Sequence, residues 1–183
     1  LNSCGISGPV TINVVEGTYS ERVIFDDITG ASAINTVVIQ ADASNTLPAE
    51  ITSAATLAAD NYVVQFNNSN WVTLDGITVS GTGATYSTAV EFMGANSNIT
   101  VENCILNSNT VTTTSTNHAV VYDNTAVANK SDSISIIGNE INNGSYGIYL
   151  YGVSTTNLET GHVVSDNLIQ SFYTYGMRLY YQD

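Results

Sequence analysis

The chain has 183 residues, enough for one domain with a continuous core, and its formal net charge is −13 with only three lysines and arginines. Nucleic acids and anionic membrane surfaces both bind basic faces, so we expect neither as a partner. Hydrophobic residues make up 43% of the chain, but no run of them is long enough to span a bilayer, so we expect no membrane insertion. Asn, Thr and Ser fill most polar positions, which suits an exported protein.

Short apolar strands open the chain. Residues 10–15 and 23–25 flank a turn, and residues 37–40 add a third strand. An Ala/Ser/Thr-rich segment with one proline follows, and its composition predicts a longer lateral loop. We therefore predict a single domain over 1–183, with first strands and a turn in 1–42, a lateral loop in 43–61 and regular rungs in 62–183.

The stretch Trp71–Phe92 is the unit that the rest of the chain repeats. It reads as a strand with alternating apolar residues, a glycine-rich corner and a shorter strand that ends in an aromatic residue. Three mostly apolar columns recur roughly every 28 residues. The columns are Leu74, Val101, Ile136 and Val164; then Val79, Leu106, Ile141 and Ile169; then Phe66, Phe92, Tyr122, Leu150 and Leu179. Because the repeat carries no helical pattern, the sequence predicts an all-β parallel β-helix of about five to six rungs.

Segments near both ends of the chain carry a family resemblance. The sequence GPVTINVVEGTYSERVIF, followed by NTVVIQAD, resembles the first rungs of right-handed parallel β-helix proteins of the pectate-lyase-like superfamily. The sequences NNGSYGIYLYG and NLETGHVVSDNLIQ resemble β-helix repeats of large bacterial surface proteins that Gram-negative bacteria secrete through a type IX system. The resemblance implies a right-handed coil and an extracellular or cell-surface location. Because the chain lacks an initiator methionine and stops inside the strand-like run 177–181, we expect a fragment whose partner is the rest of its own polypeptide.

One inward column is predicted to contain Ile77, Cys104, Asn139 and Asn167. Asparagines stacked on successive rungs can hydrogen-bond to each other and to the backbone of the turn. Cys104 is expected to be a small buried hydrophobe, and a disulfide to Cys4 would require the N-terminal segment to fold back along the coil.

Asp75 and Glu102 form the strongest candidate for chemistry, because they occupy equivalent outward positions on neighbouring rungs. Parallel strands lie about 4.8 Å apart, so the two carboxylates should sit side by side. Such a pair could raise one pKa and act as acid and base, could bind Ca²⁺ through its oxygens, or could be two solvated acids on an exposed sheet. Asp75 and Glu102 are thus candidate catalytic residues or candidate metal ligands. The third interpretation is that the chain has no catalytic or metal-binding residue here.

The catalytic sets of enzymes on this fold are not recognisable. The polysaccharide lyases use carboxylates that hold Ca²⁺ together with an Arg or Lys base, whereas the three cations here belong to distant rungs or loops. The Gly-His-Gly element of polygalacturonases is missing, and the aspartate, glutamine and arginine set of pectin methylesterases cannot be identified. His118 and His162 each stand at a strand start, and we expect structural roles for both.

An outward aromatic strip is the better candidate for ligand binding. The apolar neighbours of Tyr149 and Tyr151 should point inward, which directs both tyrosines outward. One rung on, Arg178 and Tyr180 should point outward in the same way, so Tyr149 should lie beside Arg178 and Tyr151 beside Tyr180. Tyrosine combines apolar area with a hydroxyl, which suits stacking on a sugar ring or on another protein. Two other interpretations are that tyrosine simply favours strands and that a neighbouring domain covers the strip.

The sequence therefore predicts a non-catalytic extracellular module that acts as a rigid spacer or adhesion segment, needs no cofactor, and contacts glycans or other surface proteins. The alternative is a carbohydrate-active enzyme, a polysaccharide lyase or glycoside hydrolase with Ca²⁺ as its cofactor and its centre near Asp75 and Glu102. A third hypothesis is a sugar-binding module that uses the aromatic strip. The acidic surface disfavours polyanionic ligands unless Ca²⁺ bridges the charges.

Overall fold

The computed structural model describes residues 4–124 and 130–183, which form a parallel β-solenoid of about six turns. Each turn contributes one strand to each of three six-stranded parallel sheets, called sheets 1, 2 and 3 in the order in which the chain meets them. This all-β architecture confirms the predicted parallel β-helix.

The strands of each turn follow one another around the coil. Sheet 1 consists of β1 (Val10–Val14), β4 (Val37–Ala41), β7 (Asn70–Asp75), β10 (Ser97–Glu102), β13 (Asp132–Ile137) and β16 (Val163–Ser165). Sheet 2 consists of β2 (Gly17–Ser20), β5 (Ala49–Ser53), β8 (Thr78–Gly81), β11 (Ile105–Asn107), β14 (Glu140–Asn142) and β17 (Leu168–Gln170). Sheet 3 consists of β3 (Val23–Asp26), β6 (Val64–Asn67), β9 (Val90–Met93), β12 (Ala119–Asn124), β15 (Tyr146–Tyr151) and β18 (Tyr175–Tyr180). Short 3₁₀ helices lie at Ala58–Asp60 and Thr116–His118. Within the described ranges, no helix is long and apolar enough to cross a membrane.

The register stacks equivalent residues of successive turns above one another. In sheet 1, Leu74 pairs with Val101, and Val101 pairs with Ile136. In sheet 2, Val79 pairs with Leu106 in the same way. The first two predicted columns are confirmed along their whole length, and their residues form the continuous apolar core.

The third predicted column is wrong at one position. Phe92 pairs with Phe66 on one side, but on the other side it pairs with Asp123 rather than Tyr122. Tyr122 pairs instead with Tyr149, and its ring contacts that of Tyr149 on the outer face. Apolar character favoured the tyrosine for the interior, whereas the pairing of the strands places the aspartate inside.

The long first strand of the predicted repeat is two strands with a corner between them. Gly76, Asn103 and Gly138 occupy this corner in successive turns, with φ angles of 67°, 53° and 66°. Glycine and asparagine tolerate this left-handed conformation, which turns the chain from sheet 1 into sheet 2. The apolar alternation continues through the corner, which is why the sequence reads there as one strand.

The segment 43–61 is not the lateral loop that its composition predicted. It contains β5, which pairs with β2 on one side and β8 on the other. Ala49 and Ile51 of β5 are buried in the core. A strand with only one large apolar residue gives a weak hydrophobic pattern, so the surrounding Ala, Ser and Thr residues hid it.

The column of small and polar residues forms a hydrogen-bonded ladder at the corner between sheets 1 and 2. The N–H of Cys104 donates to Oδ1 of Asn139 at 2.9 Å, and the N–H of Asn139 donates to Oδ1 of Asn167 at 2.9 Å. The Nδ2 groups of the two asparagines donate to the carbonyls of Val101 and Ile136. Burial raises the pKa of the Cys104 thiol to about 12, so Cys104 is the neutral buried residue that the sequence predicted.

Candidate functional site

A cluster of tyrosines surrounds one arginine on the outer face of sheet 3, and we call this cluster the tyrosine face. Its members are Tyr122, Tyr146, Tyr149, Tyr151, Tyr175, Tyr180 and Tyr181, together with Arg178. Strand alternation along β15 and β18 directs Tyr149, Tyr151, Arg178 and Tyr180 outward. Tyr146 and Tyr175 pair at the starts of the same strands, and the buried Tyr146 joins the cluster from there through its contacts with Tyr149 and Arg178. The predicted adjacency is present, since Tyr149 pairs with Arg178 and Tyr151 pairs with Tyr180.

Arg178 lies at the centre of the tyrosine face. Its guanidinium carbon is 4.8 Å from the ring centroid of Tyr180 and 5.5 Å from that of Tyr149, distances at which a ring attracts a cation. The rings of Tyr146 and Tyr175 are each 5.8 Å away. Nη1 donates to the hydroxyl of Tyr146 at 3.2 Å, Nε donates to the hydroxyl of Tyr180 at 3.1 Å, and Nη2 donates to that same oxygen. The hydrogen bonds to Tyr180 raise the pKa of Arg178 further, so the side chain is a permanent cation.

The rings of the tyrosine face pack against one another between turns. The centroids of Tyr151 and Tyr180 are 5.1 Å apart, and those of Tyr122 and Tyr149 are 5.6 Å apart. Tyr149 and Tyr151 lie on one strand with ring planes within 7° of parallel and centroids 6.2 Å apart. Because neighbouring rings already restrict each other's rotamers, a ligand that binds here has less side-chain entropy to overcome.

Three phenols of the tyrosine face have a pKa raised above the ordinary value for tyrosine. Burial raises the pKa of Tyr149, an effect that the nearby charge of Arg178 opposes. Burial also raises the pKa of Tyr122. For Tyr151, a hydrogen bond with Tyr181 is the main cause of the raised pKa. Neutral hydroxyls can both donate and accept hydrogen bonds, which is the capacity needed to bind other hydroxyl groups.

Sequence reasoning found part of this face and missed the rest. It named Tyr149, Tyr151, Arg178 and Tyr180, and the structure brings those four together. It missed Tyr122, which it had placed inside the coil. It also missed Tyr181, which directly follows β18, and the pair Tyr146 and Tyr175 at the starts of β15 and β18. A search for tyrosines one repeat apart would have found this last pair.

A second candidate surface is an open groove of about 320 Å³ on the outer face of sheet 1. Hydroxyl and amide side chains line it beside the only tryptophan of the chain: Thr36, Trp71, Thr73, Asn98, Thr100, Ser133, Ser135 and Gly161. Thr73 and Thr100 pair in register and lie two residues before Asp75 and Glu102 on the same strands. The groove and the predicted carboxylate pair therefore share one face of the coil.

The backbone at this groove is left-handed on successive turns. The φ angles are 58° at Trp71, 54° at Asn98 and 55° at Ser133. A bulky residue rarely adopts this conformation, which costs of order 1–3 kcal/mol and persists only where the surrounding structure fixes it. The fold thus holds Trp71 at the groove at an energetic cost.

The predicted carboxylate pair is present between β7 and β10, where Asp75 pairs with Glu102. Nδ2 of Asn103 donates to Oδ1 of Asp75 at 2.8 Å. Burial, followed by the charge of Asp75, raises the pKa of Glu102. The neighbouring strands place Gln40 beside Asp75 and Ile137 beside Glu102, so neither adds a third carboxylate. Among the residues that the structure describes, no group of three or more His, Cys, Asp or Glu side chains is arranged to hold a metal ion.

A buried acidic pair lies inside the coil beneath sheet 3. The side chains of Asp123 and Glu159 are hydrogen-bonded to each other, and the two residues are 2% and 0% exposed. Glu159 also accepts from the N–H of Ser131 at 3.0 Å and from Nε2 of Gln182 at 2.8 Å, and Nε2 of His162 lies 3.4 Å away. Burial, followed by the charge of Glu159, raises the pKa of Asp123 well above its usual range. A hydrogen bond between two carboxyls requires a proton on one of them. Because both residues are buried, this hydrogen bond is a structural contact inside the coil.

Both histidines are held by contacts within the fold. Nδ1 of His118 lies 2.8 Å from the hydroxyl of Ser87, and burial lowers the pKa of His118. Nδ1 of His162 accepts from the N–H of Ile134 at 3.0 Å. These contacts fit the structural roles that the sequence predicted.

No protein-family model, curated protein or solved structure matches the chain. The fold and its surfaces therefore define the class, which is a parallel β-solenoid with a tyrosine face on one sheet and a hydroxyl-lined groove on another. The finer resemblance to pectate-lyase-like and type IX-secreted β-helices is a prediction from the sequence, and the functions that it implies are proposals.

Proposed function

We propose that the chain is a rigid β-helix module of an extracellular or cell-surface bacterial protein, secreted by a type IX system, and that it binds glycans through the tyrosine face. The observation that carries this proposal is the preorganised cluster of rings and hydroxyls around Arg178 on the outside of sheet 3. The cellular setting is supported by the sequence resemblance and by the acidic, Asn/Thr/Ser-rich composition. Its partners would be glycans, other surface proteins and the rest of its own polypeptide.

The core of the solenoid supports a role as a spacer. Each turn packs on its neighbours and lengthens the coil by about 4.8 Å. The rings of Phe25, Phe66 and Phe92 stack at centroid distances of 5.4 and 5.5 Å, and together with the asparagine ladder they tie successive turns together. Such a coil holds the tyrosine face at a fixed height and orientation, as an adhesion segment requires.

The chemistry of the tyrosine face supports a sugar as the ligand. The face of an aromatic ring packs on the apolar face of a sugar ring, while phenol hydroxyls exchange hydrogen bonds with the sugar hydroxyls. Tyr149, Tyr151 and Tyr180 are half-buried by their neighbours, which leaves part of each ring accessible. The face therefore combines accessible ring area with side chains that are already ordered.

A glycan-binding assay tests this proposal. Tyr149→Ala combined with Tyr180→Ala should weaken binding by tenfold or more, since truncating an aromatic anchor commonly costs about 2 kcal/mol or more. Tyr173→Ala is the matched control, because Tyr173 is 51% exposed and lies outside the tyrosine face. Calorimetry against a panel of oligosaccharides gives the affinities, and circular dichroism confirms the fold. Equal affinity of the double variant and the control for every glycan that binds would exclude this face as the site.

A second candidate function is a carbohydrate-active enzyme on sheet 1, and one observation favours it. The hydroxyl-lined groove with Trp71 shares its face with Asp75 and Glu102, and the pKa of Glu102 is raised, as a general acid requires. We would incubate the protein with a polysaccharide panel, with and without Ca²⁺, and measure new reducing ends and unsaturated products. Product formation that Glu102→Gln and Asp75→Asn abolish, but Glu50→Gln on sheet 2 does not, would establish this enzyme. If no polysaccharide of the panel yields product, the enzyme hypothesis is excluded.

A further inference from the structure

Among the residues that the structure describes, Arg178 differs from the other two cations of the chain in having no carboxylate partner. Arg22 forms a salt bridge with Asp60 at 2.7 Å, and Lys130 forms one with Asp132 at 3.0 Å. Across residues 4–124 and 130–183, no carboxylate oxygen lies within salt-bridge distance of the guanidinium of Arg178. In a chain with 16 acidic residues, the cation at the centre of the tyrosine face is thus surrounded by tyrosine rings.

The acidic residue in the outward column of sheet 3 lies far from Arg178. The outward column of sheet 3 that ends at Arg178 runs through Glu91, Tyr122 and Tyr149. Glu91 is three strands away, a separation of about 14 Å. Glu91 is buried and accepts a hydrogen bond from Nε2 of Gln65 at 2.6 Å, so it is not the counter-ion of Arg178.

The guanidinium also has N–H donors that are not directed at the tyrosine hydroxyls. Arginine has five N–H donors, and three of them are directed at the hydroxyls of Tyr146 and Tyr180. Two donors remain, one on each terminal nitrogen. These bonds and the flanking rings fix the plane of the guanidinium, so its remaining donors are preorganised for an acceptor beyond the described residues.

We infer that the ligand of the tyrosine face carries one isolated acidic group, a carboxylate or a sulfate, on an otherwise neutral saccharide, and that Arg178 binds this group. The inference rests on the proposed glycan-binding function and adds the charge of the ligand to it. A single cation can pair with a single anion, and the surrounding rings stack on neutral sugars. A polyanionic glycan is disfavoured, because the net charge of −13 repels every further negative group that Arg178 does not meet.

Calorimetry with lactose, sialylated lactose, sulfated lactose and heparin as probes tests the inference. The two singly charged derivatives should bind more tightly than lactose, and heparin should bind no more tightly than they do. Arg178→Gln should weaken binding of the two derivatives by about tenfold or more, the usual effect of losing a charge-assisted hydrogen bond, and should leave lactose nearly unchanged. The advantage of the charged sugars should also shrink as NaCl is raised.

Two further variants keep this test decisive. Arg22→Gln lowers the net charge by the same one unit at a salt-bridged arginine, so it should leave the preference for charged sugars intact. Arg178→Lys keeps the charge but loses the fixed fork, and should retain part of the preference even if Arg178→Gln loosens the rings.

The outcomes separate this inference from the function on which it rests. If sugars bind through the tyrosines but Arg178→Gln leaves the charged and neutral affinities in their original ratio, the inference fails and the proposed function stands. If heparin binds far more tightly than the singly charged sugars, a polyanion is the ligand and the inference fails. If none of the probes binds, both are overturned. Selective binding of the carboxylated or the sulfated sugar identifies which acidic group Arg178 recognises.

Discussion

The outer faces of sheet 1 and sheet 3 are two different surfaces on one scaffold. Both sheets direct the same kind of residue inward, such as the buried Val101 and Val121. Outward, sheet 1 presents the hydroxyls of Thr73 and Thr100 beside a carboxylate pair, whereas sheet 3 presents tyrosine rings around Arg178. The surfaces differ only at outward positions, so this fold separates the residues that stabilise it from the residues that can meet a ligand.

The two faces also differ in charge and in spectroscopic signal. Sheet 1 carries the negative pair Asp75 and Glu102, and sheet 3 carries the positive Arg178. Sheet 1 has the only tryptophan, Trp71, while sheet 3 carries most of the clustered tyrosines. Tryptophan emission and the near-ultraviolet circular dichroism of tyrosine can therefore follow each face separately.

The largest expected effect is a loss of stability that both faces report together. Phe92 is fully buried and stacks on Phe66, so Phe92→Ala should lower the free energy of unfolding by about 3–5 kcal/mol. The loss should appear equally in urea titrations followed by Trp71 emission and by tyrosine dichroism, because one core supports both faces. Ile105→Ala, at a residue 39% exposed on sheet 2, is the control and should change stability much less. Two separate transitions would show instead that turns unfold independently.

The next effect is a pH dependence of stability that comes from the buried acidic pair beneath sheet 3. Burial and the charge of Glu159 raise the pKa of Asp123 in the folded chain above its unfolded value. The folded state therefore binds more protons between the two pKa values, and stability is greatest below the unfolded pKa and falls as pH rises towards the folded one. Asp123→Asn imitates the protonated carboxyl, so it should flatten this fall, which for one proton is at most about 1.4 kcal/mol per pH unit.

Urea titrations of the unmodified protein and of Asp123→Asn would measure this fall in stability. They should cover about pH 4 to pH 8, roughly the range in which a carboxyl with a raised pKa titrates. Asp75→Asn on sheet 1 is the comparison, because its outward carboxyl lies away from the buried pair. A slope with pH that Asp123→Asn leaves unchanged would show that another group causes it.

The smallest expected effect belongs to sheet 1. Glu102→Gln removes the repulsion from Asp75 and the partial burial of a charge, which together raise the pKa of Glu102. The pair is largely solvated, so the variant should be more stable by under about 1 kcal/mol. The gain should shrink when NaCl is added, since salt already screens the repulsion. A loss of stability on this substitution would mean that Glu102 makes a favourable contact as a carboxylate.

The sequence predicted the pairs that depend on strand alternation alone. Tyr149 beside Arg178 and Asp75 beside Glu102 follow from the spacing of the repeat and the period of two along a strand. The interior asparagine ladder followed in the same way, through Asn139. The sequence did not predict Asp123 inside the coil. Tyr122 is the more hydrophobic of two adjacent residues and hydrophobicity therefore assigns it to the interior, whereas Asp123 is the residue that pairs with Phe92.

What the sequence determined by itself is the stacked β-helix, because a repeated apolar pattern without helical period has few other ways to bury its core. The strand β5 and the corner at Asn103 needed the tertiary structure, since neighbouring turns supply the pairing that a weak pattern does not show. The tertiary structure also decided the full extent of the tyrosine face. Its rings come from three different turns, and only the register between those turns places them around Arg178.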